Sequence, residues 1–461
     1  MLIGEFGLTS RAPHGDRSYL IYRENVGLRT QGVRVAESLD GRLGWSAVIV
    51  LATTHFAAFA DRSLPAVFAP LLKAELGLSD AAIGALLGPA FVVFYVFGLL
   101  ASGHWISRFN PWRVAGGCVL IWTAGAVLFS LADSFAGLLT GRVLLGAGQA
   151  AFAPAALMLL AGQTDPARRS RSISAFTTGS ATGRSGAMLF GGAALAWLGS
   201  SFAFGLEPWR TACLVLTAPN LVLAVLLLRS GTSPPRPITT RPGLGAALRF
   251  VAERPGAFIS LAVAGAGSVF LVQAVGAWTP SLLHRTFGLE PAAAAVVFGV
   301  IVLICAPLGH LGAGWLLARP SGQQQGPAPF VAAAAVLAGG AAAILPHTSD
   351  FAFGVTCIAV LMACGGLAAA GILIGLQSVT DRDLRPSVSA LYLTLTTLAG
   401  VGGGPWLTGM VSDAMDPRAG SALGDALSLS VMAACGLVAL VCMAGTSRWR
   451  PQYQALPGAI S

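Results

Sequence analysis

Twelve runs of mostly apolar residues, each long enough to cross a lipid bilayer as a helix, follow one another along the chain. A membrane-spanning helix needs about 20 such residues. The runs lack the period-two alternation of barrel strands, and only helices and closed barrels satisfy every backbone polar group in lipid. We therefore predict an all-α polytopic membrane protein with twelve transmembrane helices, centred near Ala57, Phe91, Ile121, Ala151, Ala187, Pro219, Val269, Val302, Val336, Ala359, Thr396 and Leu437.

The composition of the chain also indicates a surface that faces lipid. Hydrophobic residues make up 55% of the 461 residues and charged residues only 10%, whereas soluble proteins carry about 25% charged residues. Glycine, with 58 residues, is common where helices cross closely in lipid. The formal net charge of +9 comes from basic residues in short loops between apolar runs, so we expect no nucleic-acid partner.

Cysteine usage and motif content argue against a metal centre, a cofactor and an enzymatic site. All seven cysteines lie inside apolar runs, without CxxC spacing or a nearby histidine cluster. We expect them to be small apolar fillers, with no disulfide framework and no metal site. The sequence also lacks a phosphate-binding glycine loop with lysine and a nucleophile motif. We therefore predict neither an enzyme nor an ATP-driven pump.

The distribution of Lys and Arg predicts that both termini face the cytoplasm. Counted loop by loop, 21 basic residues fall on the side of the termini and 4 on the other side, with 3 inside the spans. Basic residues concentrate in the cytoplasmic loops of membrane proteins. We therefore predict a multi-pass protein of the cell (inner) membrane.

A stretch rich in Pro and Arg divides the apolar runs six and six. The predicted units are a cytoplasmic N-terminal tail over 1–43, a six-helix bundle over 44–230, a cytoplasmic linker over 231–254, a second six-helix bundle over 255–446 and a cytoplasmic tail over 447–461. Both halves carry Gly followed five residues on by Arg after their second run, in Gly103 to Arg108 and in Gly314 to Arg319. Repeated six-helix halves are a transporter architecture, so we expect two pseudo-symmetric halves.

The stretch from Gly103 to Arg108, with Arg113 beyond it, resembles the loop signature of the major facilitator superfamily, Gly-x3-Asp-Arg-x2-Gly-Arg-Arg. Ser107 stands where that signature has aspartate, and Ala318 stands there in the second copy. In the family this aspartate helps to lock the halves together on the cytoplasmic face, so its absence should weaken that lock. The resemblance implies gating loops that contain Gly103, Arg108, Arg113, Gly314 and Arg319.

Two further motifs narrow the resemblance to a branch of the family. Arg142 and Gln149 stand where the family pattern Arg-x3-Gly-x-Gly-Glu-Ala has arginine and glutamate, and the first run carries Asp61-Arg62 ahead of Pro65. Nearly the whole stretch over 45–446 resembles the Spinster-like branch, and less closely the anion:cation symporter branch. Because Spinster-like relatives include lysophospholipid and sphingolipid transporters, the resemblance implies transport of an amphipathic solute without naming it.

Four ionisable side chains lie inside the predicted spans, namely Asp61, Arg62, Arg142 and Arg184. Such residues are unfavourable at bilayer depth and tend to mark transport pathways. His55 shares a helix face with Arg62, and Arg142 shares one with Gln149, because each pair is seven residues apart. In the resembled fold, spans one and four line the central cavity. We therefore expect Asp61 or Arg62 to face Arg142 and Gln149.

Asp61 is the only carboxylate in the middle of a span. A carboxylate holds its proton weakly beside an arginine and strongly when it is desolvated without a partner, so an occluding site can load and release a proton. We predict that Asp61 is the proton-coupling site and pairs with Arg142 when charged. Gln149 cannot titrate, which leaves weak or absent coupling open. His55 is either a second titrating group or a packing residue.

The three arginines in the spans outnumber the one carboxylate of the N-terminal half. An unbalanced buried cation needs an anion, so we predict that Arg62, Arg142 and Arg184 bind an anionic substrate. The C-terminal half supplies neutral polar candidates for the rest of the substrate site: Gln273, Tyr392 and Thr396.

These features together predict a secondary transporter. We expect a monomer that moves a small amphipathic, anionic organic solute or a lysolipid by alternating access, coupled to protons through Asp61. Its partners would be this substrate, the lipid bilayer and protons. The alternatives are a facilitative uniporter and a non-transporting receptor or scaffold that has kept the same fold.

Overall fold

The structure is a computed structural model that describes residues 44–161, 166–199, 205–231, 244–381, 383–415, 421–445 and 449. This part of the chain is built from helices, and it contains no strand. The predicted tails over 1–43 and 447–461, apart from Trp449, lie outside the described residues, as does about half of the predicted linker.

Twelve helical spans follow one another in the described residues. The first six are Trp45–Leu76 (span 1), Asp80–Leu87 with Pro89–Arg108 (span 2), Pro111–Leu131 (span 3), Phe135–Gln149 with Phe152–Ala161 (span 4), Pro166–Leu198 (span 5) and Pro208–Thr217 with Pro219–Arg229 (span 6). The others are Pro255–Phe287 (span 7), Pro291–Ala318 (span 8), Ala328–Ile344 (span 9), Phe351–Val379 (span 10), Arg385–Thr396 with Gly402–Ala414 (span 11) and Ala422–Gly445 (span 12). The prediction of twelve transmembrane helices is confirmed.

Ten of these spans are long and apolar enough to cross a membrane by length and composition. The other two are more polar or less regular: span 5 carries Arg184 among Ser, Thr and Gly residues, and span 11 is interrupted by a π turn at Thr397–Val401. Both lie between the halves, where span 5 packs against spans 1 and 8, and span 11 against spans 2, 7 and 12. A helix covered by protein needs less apolar surface than one that faces lipid.

Local sequence signals explain where many of the helices begin. Proline occupies the first helical position of spans 3, 5, 6, 7 and 8, where its missing N–H breaks no hydrogen bond. Elsewhere a side chain caps the helix: Asn110 accepts from Trp112 N at 2.9 Å, and Asp350 accepts from Phe353 N at 2.7 Å. Two short helices, Leu244–Glu253 in the predicted linker and Pro320–Gln325 after span 8, complete the described elements together with a 3-10 turn at Leu345–His347.

Glycines in span 4 let it touch its neighbours backbone to backbone. A Cβ at Gly146 would lie 2.2 Å from the carbonyl oxygen of Phe91 in span 2, and one at Gly148 would lie 2.5 Å from the backbone nitrogen of Trp122 in span 3. Small residues permit such crossings in membrane proteins, where the packing of helices replaces the hydrophobic effect. Span 4 is thereby held against both neighbours at the depth of Gln149.

This contact predicts an asymmetry between two glycine substitutions. Gly146→Ala should lower the free energy of unfolding by about 1–3 kcal/mol, because the added methyl group forces spans 2 and 4 apart. Gly117→Ala is the matched control in the same half, since a Cβ there meets nothing within 4 Å. Thermal unfolding of both variants in detergent checks the prediction, and equal unfolding temperatures would show that spans 2 and 4 are not in backbone contact.

Candidate functional site

Arg62 lies among aromatic rings at the centre of the N-terminal half. Its guanidinium carbon is 4.0 Å from the ring centroid of Phe91, 4.8 Å from that of Phe59 and 4.9 Å from that of Tyr95. Its Nη2 donates a long hydrogen bond of 3.5 Å to Gln149 Oε1, while its buried Nε has no partner among the described residues. The rings stabilise the cation, yet no described carboxylate pairs with it.

Arg142 and Gln149 connect span 4 to the backbone of its neighbours. Arg142 is 1% exposed; its Nε donates to Leu86 O at 2.8 Å and its Nη1 to Arg62 O at 3.2 Å. Its buried Nη2 has no partner among the residues that the structure describes. The Nε2 of Gln149 donates to Ala58 O at 2.8 Å. Of the two residues expected to face Arg142 and Gln149, the structure brings Arg62 to them.

Asp61 points in another direction, because successive residues of an α-helix are about 100° apart around its axis. Its Oδ2 accepts a hydrogen bond of 2.6 Å from Asn220 Nδ2, and its Oδ1 accepts a longer one of 3.4 Å from Thr217 Oγ1. Both partners belong to span 6. Asp61 is 5% exposed and forms no ion pair with Arg142, so the predicted pair is not formed in this conformation.

Arg184 is a second cation for which no described residue serves as counter-ion. It is half-buried in span 5 and makes no hydrogen bond or ion pair within the described residues. The neighbouring Gly183 and Gly186 lie so close to Phe56 that a Cβ at either would come within 2.4 Å of that residue, which holds span 5 against span 1. Arg184 lies near enough to Arg62 for the two positive charges to repel each other.

His55 occupies a packing position. Its Nδ1–H donates to Phe176 O at 2.9 Å, and its ring stacks on the Phe176 ring with centroids 3.9 Å apart. The Phe59 ring meets it edge-on at 5.2 Å. Of the two roles open to His55 from sequence, these contacts fit the packing residue, and a role in proton coupling stays a prediction that they do not support.

The three polar candidates of the C-terminal half have different surroundings. Tyr392 is 9% exposed and lies over Gly265 of span 7, and the hydroxyl of Thr396 donates to Tyr392 O at 3.0 Å within its own helix. Gln273 is half-buried beside Gly404, and its amide has no hydrogen-bond partner among the described residues. Of the three, Gln273 therefore has the side chain most open to a ligand.

Within the described part of the chain, the residues of the predicted gating loops form no ion pair between the halves. Arg108 and Arg113 are exposed and form no ion pair with a described residue, and Arg319 stacks on Trp315 at 3.4 Å. Gly103 is half-buried, and a Cβ at Gly314 would meet nothing within 4 Å. The cytoplasmic face expected from the loop charges thus has no described ion pair at these positions.

The opposite face carries a cluster of charged residues to which the sequence motifs assign no function. Asp80, at the start of span 2, is 3% exposed. Its carboxylate accepts two hydrogen bonds from Arg285 of span 7, at 2.7 and 2.8 Å, one from Lys73 at 2.5 Å and one from Ser412 at 2.7 Å. Asp413 accepts from the backbone N–H groups of Asp80 and Ala81 at 2.9 and 2.8 Å.

The same face has a second ionic centre that stays within the N-terminal half. Arg210 donates from Nε and Nη2 to Glu75 at 3.0 and 2.7 Å, and from Nη1 to the carbonyl oxygens of Ser130 and Ala132 at 3.0 and 2.8 Å. Its Nη2 also lies 3.2 Å from the exposed carboxylate of Asp133. One buried guanidinium thereby ties together spans 1, 3 and 6.

Arg210→Met should therefore be one of the most destabilising single changes in the N-terminal half. Removing one partner of a fully buried ion pair lowers the free energy of unfolding by about 3–5 kcal/mol. Because the side chain of Glu75 is partly exposed, we expect a loss of about 3 kcal/mol, to which the missing donor of two buried carbonyls contributes. Arg113→Met, an exposed arginine in the same half, should change it by no more than about 0.5 kcal/mol. Thermal unfolding of the purified variants compares them, and equal unfolding would contradict the assigned role of Arg210.

Comparison with known proteins places this architecture in a family. A family model described as Major Facilitator Superfamily matches residues 51–404. The chain belongs to the Major Facilitator Superfamily. It is a multi-pass membrane protein and a secondary transporter of the major facilitator type, not an enzyme, as its sequence predicts. A non-transporting receptor or scaffold is the weaker interpretation.

Several curated relatives of this major facilitator protein are named as transporters. An MFS-type efflux pump of Mycolicibacterium smegmatis is 29% identical over 412 residues, which are 87% of this chain and 92% of the relative. The cephamycin export protein CmcT of Amycolatopsis lactamdurans is 29% identical over 40% of this chain and 36% of its own length. The probable sulfoacetate transporter SauU of Cupriavidus necator is 33% identical over 23% of this chain and 25% of its own length.

Solved structures of a bacterial homologue of the human lysosomal transporter Spinster share the fold of this transporter. The inward-facing unoccupied form has a TM-score of 0.76 at 23% identity, covering 91% of this chain and 100% of the other. The inward-facing occupied form has a TM-score of 0.77 at 22% identity, covering 90% and 98%. At this identity the similarity shows the fold.

Sequence reasoning on this transporter missed two groups of site residues. Asn220 and Thr217 sit in the apolar run of span 6, where a single amide or hydroxyl carries no motif. Phe91 and Tyr95 of span 2, four residues apart, share one helix face, and that spacing is the signal from which the aromatic environment of Arg62 could have been found.

Proposed function

We propose that this transporter moves an amphipathic organic anion by alternating access, with the anionic group bound between Arg62 and Arg184. The observation that carries the proposal is that neither guanidinium has a carboxylate partner among the described residues, although both belong to membrane-spanning helices. Uncompensated cations at bilayer depth are unfavourable, and an oxyanion would neutralise them through charge-assisted hydrogen bonds.

The surroundings of Arg62 support an amphipathic rather than a purely polar substrate. The rings of Phe59, Phe91 and Tyr95 lie near the guanidinium, and they also provide apolar surface for the body of the substrate. In the C-terminal half, Gln273 of span 7 offers an uncharged amide to bind a polar group at the other end of the substrate. The predicted roles of Tyr392 and Thr396 in binding have less support, since the hydroxyl of Thr396 bonds to its own helix.

For the coupling, we propose that Asp61 carries a proton together with the anion. Its described hydrogen bonds come from the neutral groups of Asn220 and Thr217, so it can be protonated without breaking an ion pair. Protonation removes the negative charge of Asp61 and strengthens the attraction of the arginines for an anion. Electrostatics therefore favours loading proton and anion together, and the transporter would act as a proton-linked carrier.

Export is the direction that the named relatives support. Two of them are called an efflux pump and an export protein, and a third is named for sulfoacetate, a small organic dianion. A carrier that loads proton and anion together exports an acid when the product of the cytoplasmic proton and anion concentrations exceeds that product outside. We place the protein in the inner membrane with both termini in the cytoplasm, because its basic residues cluster on that side.

The facilitative uniporter remains the second candidate, on the observation that Gln149 occupies the position of the family's second carboxylate and donates its amide to Ala58 O. A uniporter would carry the same anion with no proton. The two functions differ in one respect that flux measurements can separate, namely whether a pH gradient drives accumulation.

A thermal-stability screen of the purified protein tests the binding part of the proposal. Amphiphiles with one common tail and a carboxylate, sulfonate, phosphate, trimethylammonium or neutral headgroup would be compared, with lysophospholipids included. We expect the anionic members to raise the unfolding temperature, because a ligand that binds only the folded state stabilises it. A cationic member that stabilises the protein as much as its anionic counterpart would contradict an arginine-based site.

A further inference from the structure

We propose that the cluster of Asp80, Arg285 and Asp413 locks the outer face of the transporter, and that Ser107 leaves the inner face without the matching carboxylate. The substrate-free protein would then rest open toward the cytoplasm. This inference uses the transport function and the membrane orientation proposed above, but it concerns the empty protein and needs no substrate.

The outer lock joins the two halves through side chains. Asp80 belongs to span 2 and Arg285 to span 7, and they form a two-bond ion pair at 2.7 and 2.8 Å. Ser412 of span 11 adds a hydrogen bond to the same carboxylate at 2.7 Å. Charge-assisted pairs with two parallel bonds are the strongest hydrogen bonds that side chains make. The outer ends of spans 7 and 11 are therefore held to the start of span 2.

Asp413 adds a bond from a carboxylate to a helix end. Its two oxygens accept from the backbone N–H groups of Asp80 and Ala81, at the N-terminus of span 2. The first N–H groups of a helix have no partner within the helix and carry partial positive charge. Asp413, next to the last residue of span 11, therefore caps span 2 from the opposite half.

Spans 2 and 11 also touch along their outer halves. A Cβ at Gly409 would lie 2.3 Å from Asp80 O, and a Cβ at Gly84 would lie 2.5 Å from Pro405 O. The inner part of span 11, Arg385–Thr396, packs instead against span 7 and the helix Leu244–Glu253. The halves are thus in close contact near the outer face and separate along spans 2 and 11 toward the inner face.

At the inner face one end of span 2 and one end of span 11 also occur, but the residue that corresponds to Asp413 is not a carboxylate. Span 11 begins there at Arg385, and span 2 ends there at Arg108, with Ser107 next to last. Ser107 therefore holds in span 2 the place that Asp413 holds in span 11. Its hydroxyl donates to His104 O at 2.9 Å in its own helix, and a serine carries no charge with which to cap span 11. One face has a carboxylate lock, and the described residues of the other face form none.

Distances between spin labels on the two faces test this inference. In a background without the seven native cysteines, one pair would be Ala136→Cys with Ser349→Cys on the outer face, and the other His104→Cys with Gln324→Cys on the inner face, all at exposed positions. In lipid nanodiscs without substrate, we expect a narrow, short outer distance and a long inner distance.

Two substitutions should shift this balance in the same direction. Arg285→Ala breaks the outer lock. Ser107→Asp supplies the missing carboxylate on the inner face, and because Ser107 is partly exposed, the added charge should not prevent folding. Each should raise the outward-open fraction at least about tenfold, which is the effect of a change of one strong interaction on a two-state equilibrium. Ser107→Asn, which adds a similar volume without charge, should leave the distances unchanged.

Lys73→Met is the matched control for the outer cluster, because Lys73 contacts Asp80 from the same half and its removal leaves the bond between the halves in place. The inference is overturned if Ser107→Asp and Arg285→Ala leave both distance distributions as in the unsubstituted protein. It is also overturned if Lys73→Met opens the outer face as far as Arg285→Ala does. Since no substrate or gradient is present, the result is independent of whether the proposed anion is the cargo.

Discussion

Replacing Asp61 by asparagine should reduce proton-driven accumulation of the anion to the level of empty liposomes while anion-for-anion exchange continues. The amide keeps the size of the side chain and can still bond to Asn220 and Thr217, the two polar partners of Asp61, but it cannot take up a proton. Exchange needs only the loaded carrier to change conformation, so it does not require a proton to be gained or lost.

The measurement is uptake of a labelled anion into proteoliposomes, once with a pH gradient and once with unlabelled anion inside. Asp133→Asn is the matched control, because Asp133 is exposed and its pair with Arg210 adds little; this variant should behave as the unsubstituted protein does. If Asp61→Asn still accumulates the anion in response to the pH gradient, Asp61 is not the proton site. Loss of exchange as well would show that the carboxylate is needed for movement of the loaded carrier rather than for coupling.

Replacing Arg184 by methionine should weaken anion binding about 10- to 100-fold, which corresponds to the loss of one hydrogen bond to a charged group. Binding of a neutral analogue with the same tail should change far less. Arg184 is suited to this test because it forms no hydrogen bond or ion pair with a described residue, so its removal leaves no protein partner uncompensated. Fluorescence quenching or calorimetry with the purified protein would give both affinities.

Arg184→Lys and Arg113→Met are the controls for this experiment. Lysine keeps the positive charge and should recover part of the affinity, although it lacks the planar fork that binds an oxyanion with two bonds. Arg113 is exposed at the start of span 3, and its replacement should leave affinity unchanged. An equal loss for the anion and the neutral analogue would mean that Arg184 shapes the site without binding the charge.

The sequence predicted the helical architecture well because each span is marked by its own run of mostly apolar residues. All twelve predicted centres fall inside the observed spans, including Ala151 and Pro219, which lie at breaks within spans 4 and 6. The spacing of seven residues between Arg142 and Gln149 also predicted correctly that they share a face, since both contact span 1. Helical periodicity alone determines which residues of one helix share a face.

The direction of Asp61 could not be predicted in the same way. Asp61 and Arg62 are adjacent, so one faces span 4 and the other faces span 6, and which does which depends on the rotation of span 1 in the bundle. That rotation is set by tertiary packing and not by residues 61 and 62 themselves. Likewise, the partners of Asp80 are 205 and 333 positions away, a distance at which no periodicity in the sequence relates them.

The joint movement of proton and anion is the central property proposed for this transporter, and proton flux during anion efflux tests it most directly. Proteoliposomes would be loaded with the anion and a pH-sensitive dye, diluted into anion-free buffer with the membrane potential clamped, and followed over time. We predict that the lumen becomes more alkaline as the anion leaves and that this alkalinisation slows as the anion flux slows. In Asp61→Asn we expect no alkalinisation. Anion efflux without a change in luminal pH, or with acidification, would contradict proton-linked transport through Asp61.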